Sequence, residues 1–188
     1  MIQNFHETDF SIGCVNCTAG KHQDIAGQST CKIVGEGEYS DEAGLKDPKE
    51  CPPGEHGRKT SDVGSMATRG VGGLDGRTGC DKCGIGKVNQ FEAKYACANA
   101  EPGTYANEYG LLVAYDCPTG YHSIEDRSRC EACAKGKYND AIRMSLPTDC
   151  KLCPKGFYRD TVAGKSLDDC TACEPGKYNP STGAAHES

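Results

Sequence analysis

The stretch Cys150-Lys-Leu-Cys153-Pro-Lys-Gly156-Phe-Tyr158 contains the pattern that decides the fold. In it, a Cys-x-x-Cys pair is followed by glycine three residues later and by an aromatic residue two residues after the glycine. The same pattern begins at Cys130 and at Cys170, so three units start 20 residues apart. Because self-similarity at a fixed period is the sequence signature of a repeat array, we predict that the whole chain consists of such units.

The glycine of this pattern recurs along the chain even where a cysteine is missing. Nine copies of the pattern can be aligned on this glycine. Each copy has two cysteine slots, which are the two cysteine positions of Cys-x-x-Cys, and glycine lies six residues after the first slot. We call this residue the slot glycine. We therefore predict nine repeats after a flanking segment at 1–13, each contacting mainly its neighbours. Their boundaries are 14–30, 31–47, 48–79, 80–96, 97–113, 114–129, 130–149, 150–169 and an incomplete 170–188.

The third repeat is longer than the others because of a glycine-rich insertion at 57–79. This segment holds seven glycines and few large apolar residues, which predicts an exposed loop. Its Gly-Val-Gly-Gly sequence lacks the strand-then-helix context of a phosphate-binding loop, so we predict no nucleotide site there.

The composition argues against a single packed core. Of 188 residues, 36% are hydrophobic and 7% are aromatic, whereas 14 are cysteine. So few large apolar side chains cannot offset the ordering entropy of the chain by burial alone. Cysteine-dense chains of this kind belong to oxidising compartments, where disulfides take over that task.

The turn residues predict the local structure. The Pro/Gly step after each Cys-x-x-Cys indicates a turn, and a second glycine, as at Gly27, Gly44, Gly110 and Gly183, would close a small hairpin. The predicted fold is a set of small disulfide-rich repeats, forming an elongated rod of short β-hairpins and loops with little helix and no large hydrophobic core.

The empty cysteine slots indicate how the cysteines pair. The four empty slots hold Val34, Pro48, Ala100 and Ala114. Val34 fills the second slot of one repeat and Pro48 the first slot of the next, and the same holds for the two alanines. Because a bridge that loses one partner leaves a reactive thiol, partners tend to disappear together. We therefore predict that the second cysteine of each repeat bonds the first cysteine of the next.

This rule pairs twelve of the cysteines. The predicted disulfides are Cys17–Cys31, Cys51–Cys80, Cys83–Cys97, Cys117–Cys130, Cys133–Cys150 and Cys153–Cys170. Cys14 and Cys173 are left over, and their partners would lie in further sequence or on a neighbouring chain.

A zinc site is the alternative use of these cysteines. Cys130, Cys133, Cys150 and Cys153 fit the spacing of a zinc ribbon. A four-cysteine site there would leave the ninth repeat without partners, and repeats with one cysteine would hold half-built sites. A thioredoxin-type redox role requires a βαβ setting that this sequence lacks. We therefore expect neither a metal nor another cofactor.

No residue grouping suggests catalysis, so we expect that the chain is not an enzyme. His22, His56 and His122 stand in the slot that is aromatic elsewhere, and we interpret them as rings packed on the adjacent bridge and turn. Asn16-Cys17-Thr18 matches the N-glycosylation sequon, which makes Asn16 the candidate glycan acceptor.

The charge and the apolar runs exclude two kinds of partner. A net charge of −6 gives no general attraction to nucleic acid, and the longest plain apolar run, Leu111–Tyr115, is too short to span a membrane. Residues 1–13 lack the apolar core of a signal peptide, so we expect an extracellular chain of this kind to be a fragment of a longer precursor.

The units at Cys150–Tyr158 and Cys170–Tyr178 resemble the ephrin-receptor-like cysteine-rich repeat. More broadly, they are similar to EGF-like and tumour-necrosis-factor-receptor-like modules. The resemblance implies an extracellular or cell-surface location and a stalk or interaction module, as found in receptors, adhesion proteins and large surface proteins.

The functional prediction is an extracellular structural or adhesive stalk, or a filament module. Its partners would be other protein chains, copies of itself among them. The alternative is a receptor ectodomain that binds a protein ligand, and a zinc-binding protein is a third, weaker hypothesis. A discrete exposed apolar patch on two adjacent repeats would favour the receptor, whereas a uniformly polar surface would favour the filament.

Overall fold

The computed structural model describes residues 13–57, 77–92 and 96–186. Most of the flanking segment at 1–13 and the centre of the insertion at 57–79 lie outside the described residues.

The described part contains sixteen short strands, two single-turn 3-10 helices and no α-helix. The 3-10 helices are Pro147–Asp149 and Leu167–Asp169. The strands are β1 Lys21–His22, β2 Lys32–Ile33, β3 Glu38–Tyr39, β4 Lys49–Glu50, β5 Glu55–Gly57, β6 Cys80–Lys82, β7 Lys87–Val88, β8 Ala98–Asn99, β9 Thr104–Tyr105, β10 Tyr115–Asp116, β11 Tyr121–Ser123, β12 Cys130–Ala132, β13 Lys137–Tyr138, β14 Lys151–Leu152, β15 Phe157–Tyr158 and β16 Thr171–Ala172.

The strands form eight antiparallel two-stranded hairpins, each made of two consecutive strands. The first strand of a hairpin follows the slot glycine of one repeat, and the second strand lies between the two cysteine slots of the next repeat. In β11–β12, for example, Tyr121 is opposite Ala132. Each hairpin therefore joins two repeats. This arrangement confirms the predicted fold class of small disulfide-rich repeats built from short hairpins.

Each slot glycine has a backbone conformation that other residues rarely adopt. All nine have φ between 75° and 88°. A second left-handed residue follows seven positions later, and it is glycine at Gly110 but Arg127, Arg143 and Ala163 in other repeats. The turn after the cysteine pair needs glycine more strictly than the turn at the hairpin loop does.

Steric crowding by the backbone of another repeat explains why a side chain is excluded at Gly120 and at Gly103. A Cβ built on Gly120 would lie 2.7 Å from the carbonyl oxygen of Ala163, and one on Gly103 would overlap the carbonyl oxygen of Arg143. In both cases the neighbouring backbone belongs to the repeat after next. A repeat therefore contacts both the next repeat in the chain and the one after it, so the contacts extend beyond nearest neighbours.

One backbone hydrogen bond recurs at every hairpin. The N–H of the second cysteine slot donates to the carbonyl of the slot glycine in the previous repeat, as from Cys133 to Gly120 at 2.8 Å. The bond is also present where the slot holds no cysteine, from Val34 to Gly20 at 3.4 Å and from Ala100 to Gly86 at 2.9 Å. The junction between repeats therefore has one geometry along the described chain.

Sulfur, rather than large apolar side chains, fills the interior. Among the described residues eleven hydrophobic ones are buried; eight are cysteines, and the others are Val34, Ala100 and Ala106. Val34 and Ala100, at 5% and 2% exposed, occupy cysteine slots and fill the same buried position.

Buried asparagines link the hairpins through their side chains. The Asn139 side chain, 1% exposed, donates to the carbonyl of Tyr121 at 3.0 Å and accepts from the N–H of Ala141 at 3.0 Å. Asn89 makes the same pair of bonds, to Glu55 at 2.7 Å and from Phe91 at 3.1 Å. Each asparagine lies three residues after a slot glycine, so the same repeat pattern that places the turn also places the amide.

Longer repeats keep the junction and lengthen only the loop. Repeats that span 20 residues place a 3-10 turn before the first cysteine of the next repeat. The Asp169 carboxylate accepts hydrogen bonds from the N–H groups of Lys165 and Ser166 at 2.6 and 3.1 Å, and these bonds lower the pKa of Asp169. Asp149 accepts the equivalent pair from Ser145 and Leu146.

Replacing a slot glycine will destabilise the array. For Gly120→Ala we expect a loss of more than about 1 kcal/mol in the free energy of unfolding, because the substitution combines a disfavoured φ with a backbone clash. Gly84→Ala is the matched control, since no heavy atom lies within 4 Å of its Cβ position. Denaturant unfolding measures both. Equal midpoints for the two variants would contradict the packing described above.

Removing a buried amide will also be costly. Asn139→Ala leaves a part-buried carbonyl and a part-buried N–H without their partner, which typically costs about 1 kcal/mol or more. Asn107→Ala, at an exposed loop position, serves as the control. Amide hydrogen exchange should show faster exchange at Ala141 in the first variant alone. Unchanged protection there would show that the amide is dispensable.

Candidate functional site

The junction between repeats is the feature that recurs along the described chain, and a disulfide links most of these junctions. Six disulfides lie in the described chain, and they join the same six pairs that the spacing rule names. They are Cys17–Cys31, Cys51–Cys80, Cys83–Cys97, Cys117–Cys130, Cys133–Cys150 and Cys153–Cys170. Their Cα–Cα distances are 5.7 to 5.8 Å, within the usual range for an unstrained bridge.

The proposed zinc ligands take part in three different disulfides. Cys130 bonds Cys117, Cys133 bonds Cys150, and Cys153 bonds Cys170. A disulfide sulfur is not the thiolate that zinc requires. Within the ranges that the structure describes, no group of three or more histidine, cysteine or acidic residues is placed to hold a metal ion.

Two hairpins lack a disulfide at their junction, and one of them has an aromatic pair instead. In β9–β10, the rings of Tyr105 and Tyr115 lie across the strands with centroids 5.6 Å apart. Such a pair contributes about 0.5–1.5 kcal/mol beyond its burial, less than the ~3 kcal/mol of a disulfide that closes a loop of similar length. The fifth hairpin is therefore held by a weaker interaction than its bridged neighbours.

The other hairpin without a disulfide, β3–β4, carries a charged pair. The Lys49 ammonium lies 2.8 Å from the Asp41 carboxylate and 5.9 Å from the centre of the Tyr39 ring. The hydrogen bond lowers the pKa of Asp41 and raises the pKa of Lys49. The same three residue types are placed alike at Tyr138, Asp140 and Lys151, in a hairpin that has a disulfide. The charged pair is therefore a feature of these hairpins in general and does not replace the bridge. Because these groups are exposed, the pairs add little stability.

The three histidines of the aromatic slot are engaged by backbone carbonyls. Nδ1 of His22, His56 and His122 lies 3.1, 3.2 and 3.3 Å from the carbonyl oxygens of Lys46, Gly57 and Ser123. Nδ1 is therefore the donor nitrogen in each ring. His122 is 6% exposed and packs inside its hairpin.

The remaining predicted site residues lie at the first and ninth repeats. Cys14 is free and exposed, and Cys173 is free and partly exposed. Asn16 and Thr18 of the sequon are exposed, with the Asn16 side chain beside Gly44. Glycosylation of Asn16 stays a prediction.

The structure also shows a groove that the sequence pattern did not predict. A cavity of about 560 Å³ lies along the fourth and fifth repeats. Its apolar wall includes Phe91, Leu112 and Val113, which are 57%, 46% and 62% exposed. We call these three residues with Ala96 and Ala98 the apolar groove. The sequence signal for it is the apolar run at Leu111–Tyr115, which is too short to span a membrane but supplies one side of the wall.

These features define a class of protein: a tandem array of cysteine-rich repeats in which disulfides and hairpins replace a large core. Residues 120–170 match the family model described as "Tyrosine-protein kinase ephrin type A/B receptor-like", which confirms the resemblance inferred from the sequence. The match runs from the slot glycine of the sixth repeat to the last disulfide.

Two curated proteins are also similar to this chain. They are the "Sushi, von Willebrand factor type A, EGF and pentraxin domain-containing protein 1" of Rattus norvegicus and that of Mus musculus, each 29% identical over 134 residues. The alignment covers 66% of this chain and 4% of each relative. The alignment therefore spans a short part of those proteins, and the repeats of this chain are of the extracellular, cysteine-rich type. Among the residues described, no helix has the length and hydropathy needed to cross a bilayer.

An additional disulfide should form in the fifth hairpin. Ala100 and Ala114 occupy the slots that bridged cysteines occupy in neighbouring hairpins. The double variant Ala100→Cys/Ala114→Cys should form a bridge and raise the free energy of unfolding by up to about 3 kcal/mol. Non-reducing peptide mapping detects the bond, and denaturant unfolding measures its effect. The single variant Ala100→Cys is the control, and free thiols at positions 100 and 114 of the oxidised double variant would contradict the common junction geometry.

Proposed function

We propose that this chain is an extracellular, non-enzymatic stalk module that holds other parts of a surface protein apart or in place. The observation that carries the proposal is the recurrence of one junction along the described chain. Each junction combines a two-stranded hairpin with the hydrogen bond from the second cysteine slot to the slot glycine. Six of the eight hairpins add a disulfide.

The disulfides suit a chain that bears tension. A bridge between Cys83 and Cys97 carries force directly between repeats, and the residues between them cannot be pulled out. Without the bridge, that separation of 14 residues could extend to about 50 Å, against a Cα–Cα distance of 5.7 Å. Bridged loops therefore limit the extensibility of the array, as a spacer requires.

Single-molecule pulling tests this mechanical role. We expect the unfolded length of the oxidised chain to be shorter than that of the reduced chain by the bridged loops, about 50 Å for each loop like Cys83–Cys97. The matched control is Cys83→Ser/Cys97→Ser, which should lengthen the oxidised chain by one loop alone. Equal lengths with and without reductant would contradict a disulfide-limited stalk.

The location is tested on intact cells. An antibody raised against residues 96–186 should label the native protein without permeabilisation. Labelling that appears only after permeabilisation would exclude a surface stalk.

A second candidate, a receptor segment that binds a protein ligand, is favoured by the apolar groove. Phe91 on the fourth repeat and Val113 on the fifth repeat expose 57% and 62% of their surface in one cavity wall. Contiguous exposed apolar surface on adjacent repeats is typical of a docking site.

Bead adhesion separates the two candidates. Beads coated with the chain are tested for attachment to cells of the same organism that do not produce the protein, so that attachment reports a different ligand and not another copy of the chain. If the groove binds a ligand, Phe91→Ser/Val113→Ser should reduce attachment, whereas Val162→Ser, at an exposed position on the eighth repeat, should not. Equal attachment by both variants would favour the spacer.

A further inference from the structure

A second cavity lies where the fifth, sixth and seventh repeats meet. Its volume is about 610 Å³, and its walls include the hairpin β11–β12 and the turn that begins at Leu146. Ile124 and Leu146 belong to its apolar side, and His122 and Glu131 lie on the hairpin. The cavity therefore offers a ligand both apolar contact and a few polar groups, as binding sites commonly do.

Hydrogen bonds between three repeats hold the walls of this cavity. The Ser123 hydroxyl accepts a hydrogen bond from the N–H of Gly103 in the fifth repeat at 2.9 Å. The N–H of Ser123 donates to the carbonyl of Met144 in the seventh repeat, also at 2.9 Å. The Asp149 carboxylate accepts from the N–H of Leu146 at 2.9 Å and so fixes the turn. Because the walls are already in place, a ligand does not have to order them on binding.

The ring of His122 has one nitrogen without a partner. His122 is 6% exposed, and its Nδ1 lies 3.3 Å from the carbonyl oxygen of Ser123, to which it donates. In the neutral ring, Nε2 is then a hydrogen-bond acceptor. Within the described ranges Nε2 has no hydrogen-bond partner, and the only fully buried side-chain nitrogen or oxygen without one is Nε of Arg159. Nε2 of His122 is therefore accessible from the cavity that the ring lines.

Glu131 lies beside this ring. It is directly opposite His122 in β11–β12, so both side chains project from the same face of the hairpin. Residues opposed in this way have Cβ atoms about 5 Å apart. Glu131 is exposed, and among the described residues its carboxylate makes no ion pair. An acceptor nitrogen and a carboxylate are therefore placed together, and both are open to a donor from another molecule.

Three other hairpins have a lysine of the chain itself where the sixth hairpin has Glu131. In each of them the lysine is opposite the ring of the aromatic slot and pairs with an aspartate carboxylate: Lys32 with Asp24, Lys49 with Asp41, and Lys151 with Asp140. In the last two hairpins the ammonium lies 5.9 Å from the centre of the ring. A cation beside the slot ring and a carboxylate is thus a recurring arrangement in this array. The sixth hairpin has the ring and the carboxylate, and a cation there has to come from another molecule.

The remaining charges of the cavity also favour a cation. Glu125 and Arg127 line it together with Glu131, so two carboxylates stand against one guanidinium and the net charge is negative. A cleft lined mainly by one sign of charge attracts the opposite sign. A lysine or arginine side chain fits the apolar side as well, because its methylene stem packs on Ile124 and Leu146 while its charged end reaches the polar groups.

We propose that this cavity binds a lysine or arginine side chain of a partner protein. In the complex, the cation donates a hydrogen bond to Nε2 of His122 and pairs with the carboxylate of Glu131, and its stem packs against Leu146. The site is separate from the apolar groove, and the proposal does not depend on the mechanical role of the stalk.

Three synthetic peptides test the need for a cation. Each has the sequence Gly-Gly-X-Gly-Gly with acetyl and amide ends, where X is lysine, side-chain-acetylated lysine or norleucine. In NMR titrations of the isotope-labelled chain, the lysine peptide should shift the amide signals of β11 and β12 and reach saturation. The other two peptides should bind about threefold more weakly or less, because they lack the positive charge. Equal binding of all three peptides, or no saturable shift at these strands, would overturn the proposal.

Four variants test the residues. Glu131→Gln should weaken binding of the lysine peptide about threefold, since it removes the carboxylate. Glu50→Gln is the matched control, because Glu50 is also an exposed strand glutamate but lies outside the cavity, and it should leave binding unchanged. His122→Phe keeps a ring and removes Nε2, so it should also weaken binding. Arg127→Gln removes the opposing charge and should strengthen binding.

Two further results would refute this site. Equal weakening by Glu131→Gln and Glu50→Gln would show only the general attraction of a cation to an acidic chain. Weaker binding by Arg127→Gln would show that the cavity prefers an anion. Amide signals that stay unchanged outside the sixth and seventh repeats verify that each variant is folded.

Discussion

The disulfide between the second cysteine of one repeat and the first cysteine of the next fixes the junction on which the described structure depends. The chain has too few large apolar residues for a common core, and the interior positions are filled mainly by sulfur. Each bridge closes a short loop, which reduces the entropy of the unfolded chain and also occupies the buried position between hairpins. Covalent linkage and packing are therefore performed by the same atoms.

The slot glycine is the second constraint, and it acts through backbone rather than side chains. Its positive φ turns the chain from the cysteine pair into the first strand, and in five repeats its missing side chain admits a carbonyl from the repeat after next. Arg127 and Ala163 occupy the other left-handed position of their repeats, where space is available for a side chain. The positive φ is common to all nine slot glycines, and the crowding adds a second reason for glycine in the five repeats that show it.

Much of this architecture was accessible from the sequence because its determinants are local and repeated. The empty slots at Val34, Pro48, Ala100 and Ala114 indicated the bridge pattern, and turn residues indicated the hairpins.

Other features depend on the relative placement of repeats, which a spacing pattern does not contain. The approach of Gly120 to Ala163 joins residues 43 positions apart, because the array stacks each repeat on two others. The apolar groove likewise forms only when the loops that hold Phe91 and Val113 lie side by side. The sequence does show that asparagine recurs at the position of Asn139. Its structural role becomes evident only from the carbonyl and the N–H group that its side chain contacts.

The way repeats change length has a consequence for how such arrays diversify. The 3-10 turns capped by Asp149 and Asp169 add residues to the hairpin loop while the bridge and the glycine contact keep their geometry. In the sequence, the insertion at 57–79 likewise lies between two bridged cysteines, Cys51 and Cys80. Variation in length therefore falls in the hairpin loops while the junctions stay constant, in the way that antibody domains present variable loops on an invariant sandwich. Foreign peptides grafted at these loops would be displayed at regular intervals on a covalently braced support, which makes the array a practical scaffold for multivalent presentation.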